Sequence, residues 1–243
     1  MSNPTRFSNG VATARTHQTL HSFPFPDPYH TASLANLGNT IYSTDFQTLG
    51  SSEYTVTGSS STLALANGFV GGAAVLTPGG ATTASSAYKN GTSFQFQAGN
   101  RFWYTASFQL SAVSSAATAY VGLQAGSSAN DGIWFYKPAS SATLNLVSVV
   151  GGTSTTLLTN IATIAAATTV EVGLYYNGTD LLVYTNDYQN ARITAPTIGA
   201  SATTLTNAVL TPVVQITPAA TETLTVDFIL ASQEMVRPVT VNY

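Results

Sequence analysis

The strongest constraint on this chain is a two-residue rhythm. From Tyr42 onward, apolar and polar side chains alternate in short runs. In Phe102-Trp103-Tyr104-Thr105-Ala106-Ser107-Phe108-Gln109-Leu110, one face carries Phe102, Tyr104, Ala106, Phe108 and Leu110. The other carries Trp103, Thr105, Ser107 and Gln109. Successive side chains of a strand point to opposite faces, so such a run reads as a strand with one face in a core. The same rhythm runs through Phe94 to Gln97, Leu144 to Val150, Val170 to Tyr176 and Leu224 to Leu230. Pro78-Gly79-Gly80, Asn130-Asp131-Gly132, Gly151-Gly152 and Asn177-Gly178 punctuate these runs as turns. Short alternating strands between Gly, Asn and Asp turns predict an all-β antiparallel sandwich or barrel. Pro78, Pro138, Pro196, Pro212 and Pro218 fall between strands or at their ends, where a missing amide costs little. The Ala-rich stretch from Ile161 to Thr169 is compatible with one helical turn, which its Thr and Ile content opposes.

Residues 1–40 break the rhythm. They hold Pro4, Pro24, Pro26 and Pro28, all three histidines, Arg6 and Arg15. In Phe23-Pro24-Phe25-Pro26-Asp27-Pro28-Tyr29, alternate prolines exclude helix and remove the amides that a central strand needs. This segment reads as an extended arm near polyproline II, residues 1–40, ahead of one sandwich domain, residues 41–243. Asn90-Gly91-Thr92 and Asn177-Gly178-Thr179 match the glycosylation pattern. With no apolar leader in Met1 to Phe7, both read as plain Asn-Gly turns.

Charge narrows the function. Only 7% of the 243 residues are charged, and the net charge is −3. An ordinary soluble domain carries roughly 25% charged residues. A surface so poor in charge resists association weakly and suits a protein held among fixed neighbours. The balance offers nucleic acid no basic footprint. No run of roughly 18 apolar residues crosses a membrane. The chain has no cysteine, and its histidines stop at His30, so neither a thiolate nor a multi-histidine metal site is expected in the body, nor any cofactor.

Catalytic chemistry finds little purchase. None of the ten acids is paired at i, i+2 on one strand face, as a two-carboxylate glycosidase strand would need. A Ser-His-Asp triad would have to draw His17, His21 or His30 from the arm. The expectation is therefore no enzyme. Asn130-Asp131-Gly132 brings one carboxylate, too little for a calcium site, and reads as a tight turn with Gly132 at positive φ. Asp180 and Asp187 read as solvated strand ends. Asp227 reads as facing solvent or a partner, opposite Val226 and Phe228. In Ile133-Trp134-Phe135-Tyr136, one alternate pair must be core and the other an outer surface or a subunit contact. Trp103, Trp134 and Tyr136 are the candidates for an outer-face carbohydrate contact.

Two resemblances add to this reading. Asp131-Gly132-Ile133-Trp134-Phe135, Val170 through Gly178, Leu182-Val183-Tyr184-Thr185-Asn186 and the closing Leu224 to Ile229 resemble concanavalin A-like, laminin-G-type jelly rolls. Met1-Ser2-Asn3-Pro4-Thr5-Arg6-Phe7-Ser8-Asn9-Gly10-Val11, followed by Phe23 to Pro28, resembles the start of a family of head proteins from short-tailed phages. That resemblance implies a virion structural protein: a capsid decoration (cement) protein on the outer surface of the head. Its implied partners are the major capsid protein and neighbouring copies of itself, in a homo-oligomeric array. The capsid-contacting arm would use Pro4, Arg6, Phe7, Arg15, Phe23, Phe25 and Tyr29. The alternative is a carbohydrate-binding jelly-roll module of a tail fibre or spike.

Overall fold

In the computed structural model of the chain, the described residues are 6–7, 10–11, 37–50, 52–91, 93–114 and 116–236. Strands β1 (Arg6–Phe7) and β2 (Gly10–Val11) pair as a small antiparallel hairpin. Strand β3 (Leu37–Thr44) opens the body and crosses the 40/41 boundary drawn from sequence. There follow β4 (Tyr54–Thr57), β5 (Thr62–Leu65), β6 (Ala74–Thr77) and β7 (Ser85–Lys89). Longer strands come next: β8 (Phe102–Leu110), β9 (Thr118–Ala125), β10 (Ser128–Lys137) and β11 (Thr143–Val150). Then come β12 (Thr153–Thr163), β13 (Val170–Tyr176), β14 (Leu181–Thr185) and β15 (Tyr188–Ile193). Two short strands, β16 (Ile198–Gly199) and β17 (Leu205–Thr206), precede β18 (Thr211–Thr217) and β19 (Leu224–Val236).

These strands build two large sheets. One has seven strands in the order β12-β11-β10-β9-β18-β7-β4. The other runs β15-β14-β13-β8-β19-β6-β5, with β3 added alongside β19 as its eighth strand. All the pairings in both are antiparallel. One core lies between them. From the eight-stranded sheet come Phe102, Tyr104, Phe108, Val172, Leu174 and Val226; from the seven-stranded sheet come Val121, Leu123, Ile133, Phe135, Leu146 and Ile216. Phe94 and Phe96 close one end against Phe102, with ring centres 5.8 and 5.1 Å away. The alternation of Phe102 to Leu110 therefore gives the core face that it predicts.

The structure departs from the sequence reading at four points. No helical turn forms over 161–169: Ile161–Thr163 end β12, and a turn at 166–167 leads into β13. Asn130-Asp131-Gly132 is no hairpin turn but lies within β10, where the register against β9 slips between Ser128 and Gly132. The positive φ belongs to Gly126, at 58°. Asp131 instead staples loops, accepting from Thr206 Oγ1 at 2.6 Å and from the Gly151 amide at 3.1 Å. A second slip between Val226 and Phe228 turns Val226 into the core and leaves Phe228 half-buried on the outer face, so the two do not share a side. Finally, Asp180 is not a solvated strand end. It is 4% exposed, paired with Arg192 and bonded by the Ala195 amide at 2.9 Å. Those two partners, the amide first, hold its carboxyl below the ordinary range.

The Asn177-Gly178 turn behaves as read. Gly178 has φ 95°, and a Cβ there would fall 2.9 Å from the Gly99 carbonyl carbon, so only glycine fits.

Candidate functional site

Once Ile133 and Phe135 enter the core, the strand's two-residue period turns Trp134 and Tyr136 to the outer face of the seven-stranded sheet. On β9, Ala119, Val121 and Leu123 face inward, so Thr118, Tyr120, Gly122 and Gln124 share that outer face. The register sets Tyr136 opposite Tyr120 and Trp134 opposite Gly122. β11 brings Asn145 and Val147 alongside, and β18 brings Val213 and Gln215. Trp134 lies against Tyr120 with ring centres 4.5 Å apart and planes 17° from parallel. Val147, Val149 and Val213 complete this outer cluster, with Tyr88 and Tyr136 packed at its margin.

One glycine makes room for the indole and another for the backbone beneath it. A Cβ on Gly132 would fall 2.8 Å from Trp134 Nε1, and one on Gly122 would run into the Ile133 carbonyl oxygen and fall 2.9 Å from Trp134 Cα. The result is a trough of about 410 Å³ lined by Tyr120, Trp134, Tyr136, Thr118, Asn145 and Gln215, with Pro138, Val147, Ser154 and Thr156 at its sides. Its wall combines ring surface with hydroxyl and amide groups, and none of these lining residues bears a charge. Tyr120 Oη reaches Gln124 Oε1 at 2.9 Å and Gln215 Oε1 at 2.7 Å. Burial pushes its phenol well above the usual tyrosine range, so it stays a hydrogen donor at any ordinary pH. Among the described residues, no group of three or more His, Cys, Asp or Glu is placed to hold a metal ion.

Trp103 does not join this site. It lies on the outer face of the other sheet, 2% exposed, beside Tyr175 at 5.0 Å and under the Arg101 guanidinium at 5.5 Å. Arg101 is in turn held by both oxygens of Glu234. Of the arm candidates, Arg6 and Phe7 form β1. Pro4, Arg15, Phe23, Phe25 and Tyr29 lie outside the described residues. Sequence reasoning missed Tyr120 and Gln215. The signal was there in Thr118 to Gln124, where the face opposite Ala119, Val121 and Leu123 carries an aromatic, a glycine and an amide. Only the pairing of β9 with β10 and β18 makes that face one surface.

No family model matches the sequence, and no curated protein matches it either. Solved structures do. An endo-1,3-β-glucanase from Streptomyces sioyaensis is 10% identical, with TM-score 0.56, over 89% of this chain and 100% of that one. A Bacteroides ovatus mixed-linkage-glucan GH16 protein, solved with a product, is 9% identical, with TM-score 0.58, over 78% of this chain and 99% of that one. The exoplasmic/lumenal domain of VIP36 in its calcium- and mannose-bound form is 11% identical, with TM-score 0.50, over 79% and 86%. The expectation of no enzyme is corrected by this finding. Glycoside hydrolases are built on this same sandwich, so the missing paired-acid strand does not exclude an enzyme. At such identities the likeness is one of fold, and it shows that the body is a concanavalin A-like, antiparallel jelly-roll β-sandwich.

Proposed function

We propose that the body binds saccharide through the outer face of the seven-stranded sheet. The observation that carries this reading is the stacked Tyr120–Trp134 pair, with Tyr136 beside it, in a trough walled by hydroxyls and amides. Binding pockets of this class combine aromatic surface with a few placed polar groups. A sugar ring has matching parts, an apolar C–H face and a rim of hydroxyls. The glucanase and mannose-bound neighbours support the reading, because the one acts on a glucan and the other holds mannose. The test is calorimetric titration of the full chain with laminarihexaose, mixed-linkage glucan tetrasaccharide and mannotriose. At least one should bind, and Trp134→Ala should weaken it more than tenfold, since truncating a central aromatic anchor costs about 2 kcal/mol or more. Trp103→Phe, on the other sheet, should bind as the wild type does. No binding by the intact chain, or binding indifferent to Trp134, would sink the reading. Assaying the same mixtures for new reducing ends separates retention from cleavage.

A second reading puts the chain in a phage virion. It rests on the amino-terminal resemblance and on an apolar edge. Leu65, on edge strand β5, is 46% exposed, and Val70, beyond that strand, is fully exposed at 102%. An unpaired edge bearing open apolar side chains invites a neighbouring chain. In this reading the protein decorates the outer surface of the head, contacts the major capsid protein and neighbouring copies, and holds on through the arm read from sequence as residues 1–40. A cryo-EM map of the particle decides it: many copies on the shell support decoration, and few on the tail support a fibre or spike module. Absence from the particle refutes both placements.

A further inference from the structure

The hydrogen-bond network behind the trough holds more information than its shape. Tyr120 Oη stands 2.9 Å from Gln124 Oε1 and 2.7 Å from Gln215 Oε1, yet one hydroxyl has one hydrogen to donate. Gln124 is not free to turn over, because its Nε2 donates to the Gly126 carbonyl at 2.9 Å. Turning it would set its oxygen against that carbonyl, and Gln124 is only 3% exposed, so water could not repair the loss. The phenolic hydrogen therefore goes to Gln124. Gln215 can then meet the phenol oxygen favourably only as a donor, through its amide nitrogen. Amide nitrogen and oxygen are told apart by such networks, and this one closes with three hydrogen bonds in a single arrangement. Gln215, which lines the trough, is left with its oxygen and the second hydrogen of its nitrogen unused by this network.

We infer that Gln215, oriented by Tyr120 and Gln124, is a specificity-determining residue that accepts a hydroxyl hydrogen from an uncharged saccharide. This rests on the saccharide reading above and adds to it the ligand class and the residue that reads it. The class follows from the wall. The lining residues include no Lys or Arg to pair with the carboxylate of a uronic acid or with a sulfate. An anionic sugar would leave solvent for a trough that offers rings, hydroxyls and amides but no counter-charge, and burying an unpaired charge is costly. The Tyr120 ring belongs to the trough wall, but its hydroxyl acts through Gln215 and is a positioning group.

The experiment is a double-mutant cycle on the full chain, by calorimetry, with laminarihexaose as the neutral probe and a galacturonic acid hexamer as the acidic one. Gln215→Ala should weaken neutral binding by roughly three- to tenfold, the worth of one hydrogen bond. Tyr120→Phe keeps the ring and should weaken it by a similar factor. In the Gln215→Ala background, Tyr120→Phe should add nothing. The acidic hexamer should bind at least tenfold more weakly than the neutral one. Losses that simply multiply, or an acidic probe bound as well as the neutral one, overturn the inference. If Trp134→Ala abolishes binding while Gln215→Ala and Tyr120→Phe leave it intact, this inference falls and the saccharide reading stands. If Trp134→Ala changes nothing, the saccharide reading itself falls.

Discussion

Lys137 is fully buried at the end of β10, a rare place for an ammonium, and replacing it tests how the loop end of the sandwich is held. Its Nζ donates to the Ser114 carbonyl at 2.8 Å, to the Ala117 carbonyl, and more weakly to Pro138 O at 3.3 Å. Two opposed terms decide what Lys137→Met does. Removing the charge relieves a desolvation cost of several kcal/mol. It also strips a charged donor from two carbonyls in a buried corner. Orphaning each costs about 1–3 kcal/mol, and the charge-assisted bonds themselves contribute about 1.5–3 kcal/mol each. Methionine refills the stem volume, so packing contributes little. The carbonyl term should win, with a net loss of about 2–4 kcal/mol. At about 2–4 °C per kcal/mol for a domain of this size, the midpoint should drop by roughly 4–16 °C. The pH dependence gives a second check. Burial lowers the folded-state pKa of Lys137 below its ordinary 10.5. Between that lowered value and 10.5 the unfolded chain holds the extra proton, so this contribution to stability rises with pH. Wild type should gain on Lys137→Met as pH is raised toward 10.5, in paired urea titrations. Equal stability of the two proteins, with a difference that is flat in pH, would refute the idea that the ammonium ties these loops together.

Phe108 is 2% exposed in the core, and Phe108→Ala should cost about 3–5 kcal/mol by urea denaturation. Gln109 faces away from that core and is the half-buried residue of β8, so Gln109→Ala should stay within about 0.5 kcal/mol, and equal losses would contradict the assignment of faces. Glu222 is held below its ordinary value of 4.5, first by the Ser114 side chain and then by backbone amides, and Asp180 is held below 3.8 by the Ala195 amide and Arg192. Depressed carboxyls add stability that is present above their unfolded values and lost as pH falls through the folded ones. Wild type should therefore weaken below about pH 4.5, and Glu222→Gln should flatten that slope in melts taken from pH 6 to pH 2.

How far the site was legible depends on which interactions are local. Trp134 and Tyr136 could be paired from sequence because the strand period puts i and i+2 on one side whatever the fold. Trp103 looked equivalent by the same rule, yet it belongs to β8 in the other sheet, and residue type carries no record of which sheet a strand joins. Tyr120 and Gln215 are 95 positions apart and meet only because β9 pairs with β18. Asp131 reads locally as a turn residue, but its partner Thr206 is 75 positions away. The slips at 128–132 and 226–228 leave no mark in composition, since a bulge answers to the strand alongside it.

Alternation, turn residues and the lack of cysteine were enough by themselves to determine an antiparallel all-β body with a core face on each long strand, because a strand's side-chain period is a covalent property of extended backbone. Which outer face becomes a trough was decided only in three dimensions. Ile133 and Phe135 must be claimed by the opposite sheet before Trp134 can turn outward, Gly122 must arrive from β9 to let the backbone beneath Trp134 pass close by, and β18 must pair with β9 to bring Gln215 to Tyr120 before that amide has an orientation at all. Each of these is a contact or register between strands, set by sheet pairing and stacking rather than by any run of residues.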